Sequence, residues 1–296
     1  MRRAPHMPLA ALSAVLLTAC TGGADTRADA DEPSGRPVIT AEESRKVLED
    51  WTERHNEAIT SGDARLWRGT VTGALEAPVT ARVRTYGKLP KSARISLSNP
   101  VFYVPRQDDG PTWFGVAALE RSGGKDHQIL AVFVKKADWR AAHWLTFQGR
   151  PPQLAHDRQG YAIPASDRDL PTAHANYLKT GDQSALTPDA YSSNARAENQ
   201  GDWTVTPGAI TPGPGPSYAL RTEDGGSLVW YALKQEKTLA GGTTATLPTE
   251  LRDHLNKSND KPKTLRTTWQ WLAIGYTPPT GKARVLGESV SLTKTN

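Results

Sequence analysis

The chain runs to 296 residues, of which 37% are apolar and 23% charged. That is enough for two ordinary domains, and nine tryptophans supply core material even at this modest apolar fraction, so disorder throughout is excluded. The net charge of +5 is too mild to argue for a nucleic-acid partner, and a single cysteine, Cys20, excludes an internal disulfide and any two-cysteine zinc site.

Residues 1–20 read as a lipoprotein export signal. Arg2 and Arg3 form a positive start, and Pro8 to Thr18 form an apolar stretch too short to span a bilayer as a mature helix. The stretch ends in Leu17-Thr18-Ala19-Cys20, the order of a bacterial lipobox, in which small residues precede the thiol that receives diacylglycerol. Removing residues 1–19 takes away two arginines and no acid, which brings the net charge from +5 to +3. Residues 21–37 are small, polar and Pro/Gly-bearing, a flexible tether whose Asp25, Asp29, Asp31 and Glu32 are simply solvated.

A first α+β unit is predicted over 38–163. Thr40-Ala41-Glu42-Glu43 is a capping-box signature. Val47, Leu48, Trp51, His55, Ala58 and Ile59 recur at helical spacing, and Gly62 is the expected C-cap. Shorter helices are expected at 64–67 and 75–86. Strands are expected at 92–104, 112–120, 128–136 and 143–147, with a short one near 160–163.

A second unit is predicted over 164–296. Asp169 is the expected N-cap of a helix bearing Leu170, Ala173, His174, Tyr177 and Leu178 on one stripe. A further helix is expected at Asp189–Ala197, and strands at 202–210, 218–222, 228–235, 267–276 and 284–292. The run from Thr211 to Pro216 breaks the sheet. Residues 236–263 read as an insertion with one short helix at 248–256.

The two units look alike. At a constant offset of 119, His55 meets His174, Gly62 meets Gly181 and Asp63 meets Asp182. At an offset of 127, Trp144-Leu145 meets Trp271-Leu272, and Pro151-Pro152 meets Pro278-Pro279. Gly123-Gly124 and Gly225-Gly226 punctuate the two halves as hairpin signals. The expected fold is therefore α+β: two tandem similar units, each an amphipathic helix, with short helices, packed on a curved antiparallel sheet. Such a unit resembles the nuclear-transport-factor-2-like or cystatin-like roll. The lipobox, acidic tether and tandem halves together resemble uncharacterised actinobacterial lipoproteins, a resemblance that brings no activity with it.

His55 and His174 are the candidate pocket residues. In a cone-shaped roll such a position can serve as an acid or base; the simpler reading is a half-buried histidine bonded to a backbone carbonyl or a tyrosine. Asp63 and Asp182, which follow Gly62 and Gly181, are expected to cap the next helix. Each stands eight residues beyond its histidine, about 12 Å along a helix, so no His–Asp dyad is expected. Trp144 and Trp271 are expected in the core. Trp113-Phe114 and Trp230-Tyr231 put aromatics on opposite sheet faces, so one of each pair is expected to face away from the helix, as an inter-unit contact or a binding patch, the former being the simpler reading.

No nucleophile elbow, metal-binding motif, P-loop or dinucleotide fingerprint occurs. Gly287-Glu288-Ser289-Val290-Ser291 lacks the closing glycine of an elbow, and His127, His143, His156 and His254 lack metal-ligand spacing. The expectation is a lipid-anchored, extracytoplasmic, non-catalytic module at the outer face of the cell membrane. It uses no cofactor or metal, and its partners are the membrane through Cys20 and a small ligand or an envelope protein. The alternatives are an envelope enzyme with a pocket on His55 or His174, and a structural spacer.

Overall fold

The computed structural model describes residues 35–108, 110–187, 199–200, 202–258 and 263–296. Cys20, the signal, all but the end of the tether and the helix expected at Asp189–Ala197 lie outside the described residues.

Helix α1 spans Ala41–Ser61. Its capping box is complete: Thr40 Oγ1 accepts from the Glu43 amide at 3.1 Å, and the Thr40 amide donates to Glu43 Oε2 at 2.8 Å. Gly62 ends the helix at φ 72°, a left-handed turn that glycine adopts without strain, and a Cβ there would stand 2.8 Å from the Lys88 nitrogen. Asp63 then caps α2 (Ala64–Thr70) by accepting from the Arg65 amide at 2.7 Å. A 3₁₀ turn at Gly73–Leu75 leads into α3 (Glu76–Tyr86).

Strands β2 (Ser96–Tyr103), β4 (Trp113–Ser122), β5 (Lys125–Lys135) and β6 (Trp139–Phe147) form an antiparallel sheet in that order. Val71 bridges Ala141 of β6 in parallel. Two-residue strands β1 (Arg36–Pro37) and β3 (Arg106–Gln107) pair beside it. Leu48, Trp51, Ala58 and Ile59 of α1 are buried in this half's core. Asn56 pins α1 to the start of β2: its amide nitrogen donates to the Ile95 carbonyl and its oxygen accepts from the Ile95 amide, both at 2.8 Å. The strand expected near 160–163 is reduced to Ala162 bridging Pro105 and His156, because the chain here turns around Asp157. That carboxylate, nearly inaccessible, holds Arg106 Nε at 2.6 Å.

Helix α4 spans Leu170–Thr180. Asp169 precedes it, but its backbone is left-handed at φ 59° and its side chain caps nothing. An N-cap needs an extended backbone so that the side chain can fold back on the first turn. Strand β7 (Leu186–Thr187) runs parallel to β13 (Ala283–Thr295). Next to β13 come β12 (Thr264–Thr277), β11 (Ser227–Ala240), β9 (Trp203–Pro212) and β8 (Asn199–Gln200), with β10 (Tyr218–Arg221) also on β11.

β11 and β12 are paired continuously from Ser227–Thr277 to Ala240–Thr264. The insertion is therefore shorter than expected, 241–263, and carries helix α5 (Thr249–Ser258). Leu247, Leu251 and Leu255 bury this excursion against Trp203, Trp269 and Leu292.

In each half a short segment thus runs parallel to the last strand of a four-stranded antiparallel meander, Val71 on β6 and β7 on β13. The matched tryptophans do not share a rank: Trp144 stands on the fourth strand of its meander and Trp271 on the third.

Alternation on β11 and β12 decides how the halves join. Leu228, Trp230, Leu272 and Ile274 face the first half and belong to its core; Val229, Tyr231, Trp271 and Ala273 face the other way, under α4. Trp113 of β4 meets Tyr218 of β10 with ring centroids 5.1 Å apart. Pro33–Asn296 cohere as one compact unit. Trp230 is wholly buried, with its Nε1 unpartnered. At ~25 cal/mol per Å² over roughly 150–250 Å², seating an aromatic contributes about 4–6 kcal/mol as an upper bound. That outweighs the roughly 1–3 kcal/mol cost of an unsatisfied donor.

Candidate functional site

A cavity of about 480 Å³ opens where the halves meet. The first half contributes Trp51 and His55 from α1, Arg82 and Tyr86 from α3, and Trp144 from β6; the second contributes Glu250 from α5 and Ser289 and Ser291 from β13. The volume falls within the range of small-molecule sites, which favour such interfaces.

Trp51 is fixed by its indole nitrogen, which donates to the Thr70 carbonyl at 2.7 Å. Trp144 is fixed likewise by a 2.7 Å bond to Glu120 Oε2. The two indoles stack at 4.5 Å, and His55 stacks on Trp51 at 4.6 Å. Trp67 meets the His55 ring edge-on at 5.0 Å, and the Arg82 guanidinium lies 5.0 Å over Trp67.

Three polar groups here lack hydrogen bonds among the described residues. His55 Nδ1 and Trp67 Nε1 are buried without one. Arg82 makes no hydrogen bond or ion pair among the described residues. Burial, then the Arg82 charge, lowers the His55 pKa to about 3, so the imidazole is neutral at pH 7. Burial also lowers the Arg82 pKa, while Glu120 opposes that shift. The Glu250 carboxyl is pushed up by burial, against the bond it accepts from the Leu292 amide at 3.1 Å. No carboxylate is among the groups acting on His55.

His174 is a different case. It has no accessible surface, and its Nδ1 lies 2.8 Å from the Tyr231 hydroxyl. The pocket expected at His174 is therefore not open: the ring is a core histidine, edge-on to Tyr231 and Trp271. Trp271 is buried as expected, with its indole nitrogen on Gln235 Oε1 at 3.2 Å, whereas Trp144 is only partly buried and walls the cavity.

Asp182 does not cap a helix as expected: it accepts from the Ser184 amide at 2.8 Å in a turn, because the chain goes on into strand β7 there. The remaining histidines are dispersed: His143 is buried against Tyr218, and His254 lies between Thr85 and Thr295. Among the described residues no group of His, Cys, Asp and Glu is arranged to hold a metal ion.

Arg82 and Glu250 were not singled out from the sequence. Arg82 carries a faint signal, since Val79, Arg82 and Tyr86 follow helical spacing on one face of α3. Glu250 carries none, because its approach depends on how the insertion folds.

No described helix is long and apolar enough to cross a membrane. No solved structure matches the chain significantly. The chain is 28% identical over 286 residues to the uncharacterized lipoprotein SCO2278 of Streptomyces coelicolor, covering 87% of this chain and 85% of that protein. It is also 28% identical over 183 residues to the uncharacterized lipoprotein SCO6871 of the same organism, covering 55% and 52%. The family described as a domain of unknown function, DUF8094, matches residues 35–296, which include helices α1 to α5, both meanders and the cavity, and the chain belongs to that family.

Proposed function

We propose that this protein is a lipid-anchored, extracytoplasmic lipoprotein that binds a small ligand in the cavity around His55 without transforming it. The anchor is supported by the lipobox ending at Cys20 and by the relatives' description as lipoproteins. The binding reading rests on one observation: a cavity walled by His55 and Trp144 bears the Arg82 guanidinium, which makes no hydrogen bond or ion pair among the described residues. An uncommitted donor fork beside an aromatic wall is what a small-molecule site needs to hold and orient a ligand.

The reading as an enzyme is disfavoured by the state of His55. A general acid or base works with a pKa near the operating pH and with an orienting partner. His55 has neither, since its pKa is about 3 and no carboxylate acts on it. The cavity argues against a bare structural spacer.

The two halves are proposed to be copies of one nuclear-transport-factor-2-like unit. Support comes from their common order: helix, short parallel segment, then meander.

Two measurements test the proposal. Cys20→Ala should release the chain from membranes or leave an uncleaved precursor; a mutant that stays on membranes at normal size overturns the anchor. Changing His55 should alter ligand binding and leave the fold intact. A reaction catalysed by the purified protein and abolished by His55→Gln would replace binding with catalysis.

A further inference from the structure

We propose that the His55 cavity takes a small organic anion with a flat aromatic body, its acid group on Arg82 and its ring along Trp144, which Trp51 backs. This rests on reading the cavity as a ligand site, and it adds the ligand's class.

The charge follows from Arg82. Its guanidinium offers five N–H donors in a fork that matches a carboxylate, sulfonate or phosphate, and none of them is used within the described protein. Its apolar face is already occupied by Trp67, so the unused edge is the one left for a ligand. Two acids stand near enough to matter. Glu120 acts on Arg82, but its Oε2 is engaged by the Trp144 indole at 2.7 Å. Glu250 lines the cavity, but its charge acts on Tyr86 and is not among the groups acting on Arg82. A cationic guest would meet the guanidinium's like charge.

The flat body follows from the wall. Both indoles are held by their nitrogens, so the wall is rigid. Rigid aromatic surface accepts another ring by offset stacking at little entropic cost.

The test uses the purified full chain and two fluorescent probes of one shape: 8-anilinonaphthalene-1-sulfonate, an anion, and N-phenyl-1-naphthylamine, which is neutral. The sulfonate should bind saturably at one site, at least tenfold tighter than the amine. Arg82→Gln should cut sulfonate affinity about tenfold or more and leave the amine's unchanged. Arg82 carries no ion pair, so this variant should fold, which its unfolding midpoint checks. In NMR titrations the His55 pKa should rise when the sulfonate is bound, because the anion offsets the Arg82 charge. Equal affinities for both probes, or a sulfonate affinity indifferent to Arg82→Gln, overturn the anion proposal and leave the cavity as an apolar ligand site. Saturable binding of neither probe overturns the ligand site itself.

Discussion

The Tyr231 hydroxyl and His174 Nδ1 lie 2.8 Å apart inside the second core, whereas His55, the matched residue of the first half, stacks on Trp51 with its Nδ1 unbonded. One histidine makes a structural bond in its half, and the other forms a cavity wall. His174→Phe should lose the bond and cost about 1–3 kcal/mol in urea unfolding. His55→Phe should change stability by less than about 1 kcal/mol, since it removes an unsatisfied buried nitrogen and keeps an aromatic ring in the stack. Equal costs would contradict the different environments.

Acid should destabilise the protein through its buried histidines. Burial lowers both the His55 and the His143 pKa to about 3, from 6.5 in the unfolded chain. A lowered folded pKa means that the unfolded state binds protons first, so the stability is complete above pH 6.5 and is lost as pH falls toward 3. Two such groups give a slope approaching about 2.7 kcal/mol per pH unit. Glu250, pushed up by burial, acts in the opposite direction, so Glu250→Gln should steepen the loss. Urea midpoints between pH 7 and pH 5 measure the slope, and His55→Phe should roughly halve it.

Asn56 joins α1 to β2 through two buried 2.8 Å bonds with Ile95. Asn56→Leu leaves both backbone groups of Ile95 without those bonds and should cost about 2–5 kcal/mol. Hydrogen exchange at Ile95 should rise in any variant that stays folded. An unchanged midpoint would mean that solvent replaces the amide at no cost.

Trp230 belongs to the second half by sequence and to the first half's core by position. Trp230→Ala should cost about 3–5 kcal/mol. Because the indole is shared, near-UV circular dichroism and far-UV circular dichroism should lose their signals in one transition. Two separated transitions would show the halves unfolding independently.

The sequence alone determined the elements whose signals are local. Thr40 and Glu43 are three residues apart, as a capping box requires, and Gly62 sits where α1 must stop, so the helix was legible to the residue. Alternation assigned Trp230 and Tyr231 to opposite faces, and the structure decided that Trp230 is the one that joins the first half's core. The Asp63 cap was legible for the same reason. Asp169 was not, because its side chain would cap only from an extended backbone, and the turn before α4 holds it left-handed. The length of the β11–β12 hairpin also escaped, because strand ends such as Lys237–Ala240 are set by cross-strand partners rather than by local pattern. Only the tertiary structure separated His55 from His174. Both occupy an inward helical position, but the second half fills the space with Tyr231, while the first leaves it open between α1, α3 and the returning strand β13. A cavity is space that no residue fills. It is decided by how segments far apart in the chain come to rest, as Arg82 and Glu250 do across the junction of the halves.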